Sequence, residues 1–249
     1  MFKELKKRLL IEKKVKNYIL YAIGEIILIV VGILVAMNIN NWNDNRKNIS
    51  KSEYFIDEVS TDLKRDTTYF NFALERIDVK IEYKRKLLNK DSLSNYSTSL
   101  IQQIISSGSN NIKISTGTFD KMKESGVLSL QENKYLFQKL NNYYTSYKGY
   151  LDIRNNWEKK LVENEYDFWF YQNSFELEYL DADTVENPKT NRLNTINEIQ
   201  SNKGRNIIKM AIFREEAMKE TYKNTIRNAE KLLNIIDSLQ LQKRIDSEN

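Results

Sequence analysis

The chain has 249 residues, with 39 basic and 34 acidic side chains, and it contains no cysteine and no histidine. These two absences exclude thiolate and imidazole metal sites, disulfides, and the Ser-His-Asp and Cys-His nucleophile systems. An enzyme built from this sequence would depend on carboxylate, lysine, tyrosine or hydroxyl groups, and we assign no catalytic, cofactor-binding or metal-ligating residue.

The excess positive charge lies in residues 1–16. This segment holds seven of the basic and two of the acidic residues, which leaves 32 of each in the rest of the chain. A neutral remainder lacks the basic surface that binding to phosphate backbones requires, so we predict no nucleic-acid partner. A basic cluster directly before an apolar stretch is typical of the cytoplasmic flank of a transmembrane helix.

The apolar stretch runs from Tyr18 to Met37, and Glu25 is its only charged residue. Twenty residues at a rise of about 1.5 Å cover about 30 Å, the thickness of a hydrocarbon core. Tyr18 at the entry and Trp42 beyond the exit stand at the interfacial positions that amphipathic rings prefer. The stretch therefore predicts one membrane crossing and the lipid bilayer as a partner.

Two alternatives fit the stretch less well. A cleavable signal peptide also has a basic front, but this stretch is longer than a usual signal core, and Val35-Ala36-Met37-Asn38 is not a good cleavage site. A buried core helix is apolar on one face, whereas Ile26–Met37 is apolar on all faces. Since translocation of lysine and arginine is resisted, we predict that 1–16 is cytoplasmic, 17–41 spans the membrane and 42–249 is extracytoplasmic.

The large domain is predicted to be all-α, because glycine and proline, the residues that most favour turns, are few: the chain has seven glycines and one proline. A helical period marks a first helix over Ser52–Asn89. Its inner face would carry Ile56, Val59, Leu63, Phe70, Leu74, Ile77, Ile81 and Leu88.

The middle of the domain is predicted to consist of short elements. The polar stretch Asp91–Ser99 breaks the first helix, Leu100–Ile105 is a short apolar piece and Ile112–Ser115 is a candidate extended segment. A short helix then begins with a cap at Thr116 or Thr118 and ends at Gly126, a typical helix-terminating glycine.

Three further helices are predicted. One spans Asn133–Phe175, and its inner stripe would be Leu136, Leu140, Tyr143, Tyr147, Leu151 and Leu161. After the loop Asp181–Lys189, Thr190 is expected to cap a short helix that carries Leu193, Ile196 and Ile199. The last runs over Gly204–Lys243 along Ile208, Ala211, Met218, Tyr222, Ala229, Leu232, Ile236 and Leu239. The sequence thus predicts one N-terminal transmembrane helix followed by a bundle-like domain of long helices.

Two stretches of the sequence resemble a known family. They are Tyr21-Ala-Ile-Gly-Glu-Ile-Ile-Leu-Ile-Val-Val-Gly-Ile-Leu-Val-Ala-Met-Asn-Ile-Asn-Asn-Trp-Asn43, and Ser115-Thr-Gly-Thr-Phe-Asp-Lys-Met-Lys-Glu-Ser-Gly-Val-Leu-Ser-Leu130 followed by Tyr143-Tyr144. Together they resemble domain-of-unknown-function family 6090, a group of bacterial single-pass membrane proteins. The resemblance implies a cell-envelope protein of the bacterial inner membrane and no particular mechanism.

Glu25, Gly32 and Ala36 are the candidate residues for an interface within the membrane. A carboxylate inside a bilayer is costly and usually faces a partner or a water-filled path, although a tolerated, protonated glutamate is the alternative. Gly32 and Ala36 form a small-xxx-small pair, and Glu25 lies seven residues before Gly32 on nearly the same face. The predicted partner is a membrane or periplasmic protein, or a second copy of the chain.

Two other segments of the sequence each have two interpretations. Six aromatic residues between 166 and 175 form either bundle core or a partner surface: Tyr166, Phe168, Trp169, Phe170, Tyr171 and Phe175. The basic opening, with Phe2, Leu5, Leu9 and Leu10 among lysines, is either a topology signal alone or a segment that lies on anionic lipid.

The function that the sequence favours is a membrane-tethered helical interaction or scaffold module. The alternative is a carboxylate-dependent envelope enzyme, which would require two or more inward-facing acidic residues with raised pKa in one cleft.

Overall fold

The computed structural model describes residues 2–106, 108–129, 133–171 and 174–248, with the side chains of 3–19, 129 and 246–248 left out. Apart from Phe2, the expectation for the basic opening therefore rests on side chains outside those described. The chain forms two compact units, residues 1–54 and 55–249. No strand occurs in the described ranges, which confirms the all-α prediction.

The described residues contain seven α-helices. In chain order they are α1 (Phe2–Leu88), α2 (Thr98–Ile105), α3 (Gly117–Glu124), α4 (Lys134–Asn142), α5 (Lys148–Tyr166), α6 (Pro188–Gln200) and α7 (Asn202–Glu248). Short 3-10 turns at Lys90–Asn95 and Val127–Ser129 link some of them. Two π-helical turns, Tyr143–Tyr147 and Asp167–Tyr171, extend α4 and α5 into one helical segment.

Helix α1 is longer than the separate helix predicted to begin near Ser52. The Asn-rich stretch after Met37 does not interrupt it, and the boundary between the two units falls inside it, after Tyr54. Asparagine lowers helix propensity by only a fraction of a kcal/mol per residue, about 0.7 at most, whereas glycine costs about 1 kcal/mol and proline about 3 kcal/mol. No proline and no glycine occurs between Gly32 and Gly108.

The unit of residues 55–249 contains two hydrophobic cores. The first core joins α1, α3, α4 and α7, and Val59, Leu63, Leu140 and Met218 are fully buried in it. The second core joins the end of α1 to α2, α6 and the start of α7: Leu87, Leu93, Ile101, Ile104, Ile105, Phe168, Trp169, Phe175, Ile199 and Ile208. The predicted inner stripes of α1 and α7 lie in these cores or against them, as expected.

The aromatic residues between 166 and 175 lie partly in the second core. Phe168, Trp169 and Phe175 are buried there, whereas Tyr171 is 82% exposed. The π turn explains this division, because its extra residue changes the direction in which successive side chains point. Core packing is therefore the role of three of the six.

The stripe predicted for the helix over Asn133–Phe175 is wrong at Tyr147 and at Leu161. Tyr147 is 37% exposed and Leu161 is only half-buried, whereas Asn155, Glu158 and other residues face inward. The cause is the π turn at Tyr143–Tyr147, which inserts a residue and shifts the buried face. A stripe extrapolated at 3.6 residues per turn cannot include such a shift.

The predicted cap of α6 is also wrong. The N-cap is Asn187, whose side chain accepts a hydrogen bond from the backbone N–H of Thr190 at 3.1 Å. Pro188 takes the first helical position, where its missing N–H costs nothing. The helix therefore starts three residues earlier than predicted. Leu193 is 58% exposed, whereas Asn191 and other polar residues are buried.

The predicted terminator of α3 is confirmed. Gly126 has a φ of +78°, the left-handed conformation in which glycine commonly ends a helix. Thr116 is the N-cap residue, although its side chain makes no capping hydrogen bond.

Candidate functional site

Helix α1 carries the three residues predicted to form a membrane interface. Residues 7 and 11 positions apart on an α-helix lie within about 20° of the same direction, so Glu25, Gly32 and Ala36 share one face. All three are exposed, and a Cβ added to Gly32 would meet no atom within 4 Å. The described part of the chain therefore leaves this face uncovered.

By length and composition, α1 is the one helix in the described residues that could cross a membrane. Its apolar window is not buried anywhere inside the described structure. Ile26, Leu28 and Ile33 are each more than half exposed. Such a surface is unfavourable in water, because the free energy falls when apolar surface is transferred from water to an apolar environment.

A layer of buried charge lies between the two cores of the domain. The charged layer consists of Lys84, Glu158, Glu165, Arg214 and Glu215, and each of these residues is at most 5% exposed. On α1, α5 and α7 it occupies the positions between first-core and second-core residues.

Arg214 is the centre of the charged layer. Its Nε and one terminal nitrogen donate to the two carboxylate oxygens of Glu165 at 3.0 and 3.1 Å, a bidentate pair. Its other terminal nitrogen donates to Oε1 of Glu158 at 3.0 Å. The planar guanidinium suits this arrangement, since it presents several donors in a fixed fork.

Lys84 completes the charged layer through Glu215. Its Nζ donates to Oε1 of Glu215 at 2.5 Å, and the same oxygen lies 3.6 Å from Arg214. Half-buried Lys80 lies close enough to interact with Glu215 and Glu158. Three cations therefore meet three carboxylates, which is how buried charge is normally tolerated.

Burial is the largest single influence on the pKa values of Glu158, Lys84 and Arg214. It raises the pKa of Glu158, against the opposing effects of Arg214 and of the backbone of Asn110 and Asn111. It lowers the pKa of Lys84 despite the neighbouring Glu215. For Arg214 the burial effect is also downward, but Glu165 and the other carboxylates outweigh it and raise the pKa.

An irregular segment, residues 108–116, packs against these polar side chains. Lys80 Nζ donates to the carbonyl oxygen of Gly108 at 2.9 Å, and Asn155 Nδ2 donates to that of Ile112 at 2.8 Å. The backbone N–H of Ser115 donates to Oδ2 of Asp66 at 3.2 Å. The segment thereby finds hydrogen-bond partners that a helix or strand would otherwise supply.

Asp66 of α1 accepts a hydrogen bond from the start of the Ser115-Thr-Gly-Thr-Phe119 motif. It lies between Leu63 and Phe70, two residues of the first core. It is 3% exposed, and burial raises its pKa to about 6, against the hydrogen bond from Ser115 and the charge of Arg65. Tyr143 and Tyr144 are close enough that Asp66 raises the pKa of each hydroxyl, although burial is the larger cause. This motif therefore docks on a carboxyl that holds its proton to a higher pH than an ordinary aspartate does, since its pKa is about 6.

Stability is expected to depend on pH through Asp66. Its pKa is about 6 in the folded chain against 3.8 in the unfolded one, so the folded state binds the proton more tightly. The stabilisation is complete below about 4 and is lost as pH rises through about 6. We expect Asp66→Asn, which keeps an acceptor for Ser115, to gain stability relative to the parent chain between these limits, measured by denaturant unfolding of the full chain in detergent micelles.

The control for this prediction is Asp120→Asn, which changes an exposed carboxylate of the same motif. Its stability difference from the parent should stay constant across the same pH range. A pH-independent difference for Asp66→Asn as well would contradict a raised pKa at Asp66.

The carboxylates of raised pKa are not placed to meet a substrate. Asp66 is 3% exposed and Glu158 is fully buried, and each is engaged by groups of the protein itself. Within the residues that the structure describes, no group of three or more acidic side chains is arranged to hold a metal ion.

The sequence contains a signal for the charged layer, although the predicted inner faces of the helices do not include it. The apolar pattern of the inner face is interrupted between Ile81 and Leu88 on α1, and between Ala211 and Met218 on α7. Lys84 and Arg214 lie inside these interruptions, and Asp66 lies in an earlier one on α1. Interruptions at matching levels of different helices indicate buried polar contacts.

Comparison with known proteins gives one match. A family model described as "Family of unknown function (DUF6090)" matches residues 25–202, which include the apolar part of α1 from Glu25 onward, the Ser115 motif and most of the domain. No curated protein and no solved structure matches the chain.

Proposed function

The chain belongs to the family of unknown function DUF6090, and on that premise we propose that it is a membrane-anchored helical interaction or scaffold module of the bacterial cell envelope. The observation that carries this proposal is the exposed apolar surface of α1, next in the chain to a domain with cores of its own.

The anchor is proposed to lie in the inner membrane, with residues 1–16 in the cytoplasm. Seven lysines and arginines precede the span, whereas only Arg46, Lys47 and Lys51 follow it closely. Positive residues near the ends of a span are retained on the cytoplasmic side. The domain would then lie in the periplasm or outside the cell.

Glu25, Gly32 and Ala36 are proposed as the association face of this anchor. In lipid there is no hydrophobic drive for helices to associate, so close backbone approach and hydrogen bonds must supply the attraction. In the described structure no atom lies within 4 Å of a Cβ built on Gly32, so a neighbouring helix has room to approach there.

Topology is the first test of the proposal. Reporters that work on only one side of the membrane, fused after Lys51 and at the C-terminus, are both expected to report an extracytoplasmic location. A matched fusion at the N-terminus serves as the control and should report the cytoplasm. Two cytoplasmic signals from the first pair, or a mature chain that lacks residues 1–37, would refute the anchor.

A further inference from the structure

A polar groove runs between α7 and the segment formed by α4, the π turn Tyr143–Tyr147 and α5. Two cavities of about 400 and 590 Å³ form it, and they share Asn142, Tyr147, Asn228 and Lys231 in their walls. Because they share these residues, the cavities adjoin and make one elongated site. The groove lies wholly within the described part of residues 55–249.

The π turn shapes one wall of the groove. It buries both Tyr143 and Tyr144 and leaves Tyr147 37% exposed at the surface that the two cavities share. A π turn costs helix stability and is found frequently at functional sites. Its position in this wall is the first indication that the groove has a role beyond packing.

The charge of the groove is positive. Lys139, Arg227 and Lys231 line it, and no acidic residue does. None of the three forms an ion pair with a carboxylate among the described residues. Since the chain beyond residue 16 is neutral overall, this is a local concentration of charge that favours an anionic ligand.

The neutral lining is rich in amides and tyrosines. Four asparagine side chains line the groove: Asn142, Asn224, Asn228 and Asn234. Arg227 donates to the side-chain oxygen of Asn224, and the side-chain nitrogen of Asn228 donates to the carbonyl oxygen of Asn224, so these two amides offer only their remaining capacity. Amide donors and acceptors match adjacent hydroxyl groups on a sugar ring. Tyr150, 53% exposed, adds a flat apolar face with a polar tip. Tyr135, 62% exposed, has the Lys139 ammonium 5.2 Å from its ring centroid.

We propose that this groove binds a carboxylated saccharide chain. The cations would pair with the carboxylates, the asparagines with the hydroxyls, and the tyrosine rings with the apolar faces of the sugar rings. An acidic peptide fits less well, because peptides usually bind at a sheet edge or in an apolar groove for a helix. This site goes beyond the proposed interaction module and does not depend on the face formed by Glu25, Gly32 and Ala36.

The test is calorimetric titration of the full chain in detergent micelles with tetragalacturonate and a hyaluronate tetrasaccharide. We expect at least one to bind. Lys231→Gln and Tyr147→Ala should each weaken that binding roughly tenfold or more, because the first removes a charge-assisted hydrogen bond and the second removes a ring face. Both side chains are exposed, so circular dichroism should show unchanged folding.

Matched controls separate this site from general attraction of anions. Lys209→Gln removes an exposed cation of α7 outside the groove and should leave binding unchanged. Neutral maltotetraose and tetraglutamate should both bind at least tenfold more weakly than the acidic saccharide. Equal binding of tetraglutamate, an equal loss in Lys209→Gln, or no binding of either acidic saccharide would overturn the proposal.

Discussion

Replacing Arg214 with methionine is expected to lower the free energy of unfolding by about 3 to 5 kcal/mol, because it leaves buried carboxylates without their cation. Arg214 is fully buried and makes three hydrogen bonds to Glu158 and Glu165. Methionine fills much of the same space, so the loss comes mainly from unpaired charge. Denaturant unfolding of the full chain in micelles, followed by circular dichroism, measures it.

Two further variants define the cause of this loss. Arg85→Met breaks an ion pair with Glu216 in which both side chains are well exposed, and it should cost under about 1 kcal/mol. Adding Glu158→Gln and Glu165→Gln to Arg214→Met should recover part of the lost stability, since the uncompensated charges are then gone. If the triple variant were less stable than Arg214→Met, unpaired charge would not be the cause.

Association through the membrane helix is expected to weaken when Glu25 and Gly32 are replaced. Gly32→Leu separates the helices sterically, and Glu25→Leu removes a hydrogen bond to a second copy or to a partner. Each contribution is worth about 0.6 to 2 kcal/mol, so the double variant should be weaker than either single one. The yield of crosslinked complexes in intact cells, at equal expression, measures the effect.

Val30→Leu is the matched control, because Val30 lies about 160° around the helix from Gly32 and is exposed. It adds bulk to the same segment without touching the proposed face, and crosslinking should remain at the parent level. Unchanged crosslinking in the double variant would contradict an association face at Glu25 and Gly32.

The positions of most helices could be predicted from the sequence because helical periodicity is a local property. Val59, Leu63 and Ile77 recur on one face of α1, and all three are fully buried. Helix ends were less predictable. Thr190 and Asn187 are both good capping residues, and the proline after Asn187 decides between them by its fit to the first helical position.

The π turns were beyond sequence reasoning, although they decide which side chains enter the core. Nothing in the run Tyr143 to Tyr147 distinguishes a π turn from an ordinary helical turn. The choice depends on packing, since Phe119 stacks on Tyr144 with ring centroids 4.5 Å apart. A contact between residues so distant in sequence cannot be obtained from local propensity.

The sequence by itself determined that this protein is all-α, that one helix is apolar enough to cross a membrane, and which faces of α1 and α7 are buried. These properties follow from apolar burial, which is non-directional and depends on the pattern of residues along each helix. Only the tertiary structure decided that Arg214 pairs with Glu158 and Glu165, 56 and 49 positions away. Ion pairing and hydrogen bonding require particular atoms at particular distances and angles, and these exist only after the helices have packed.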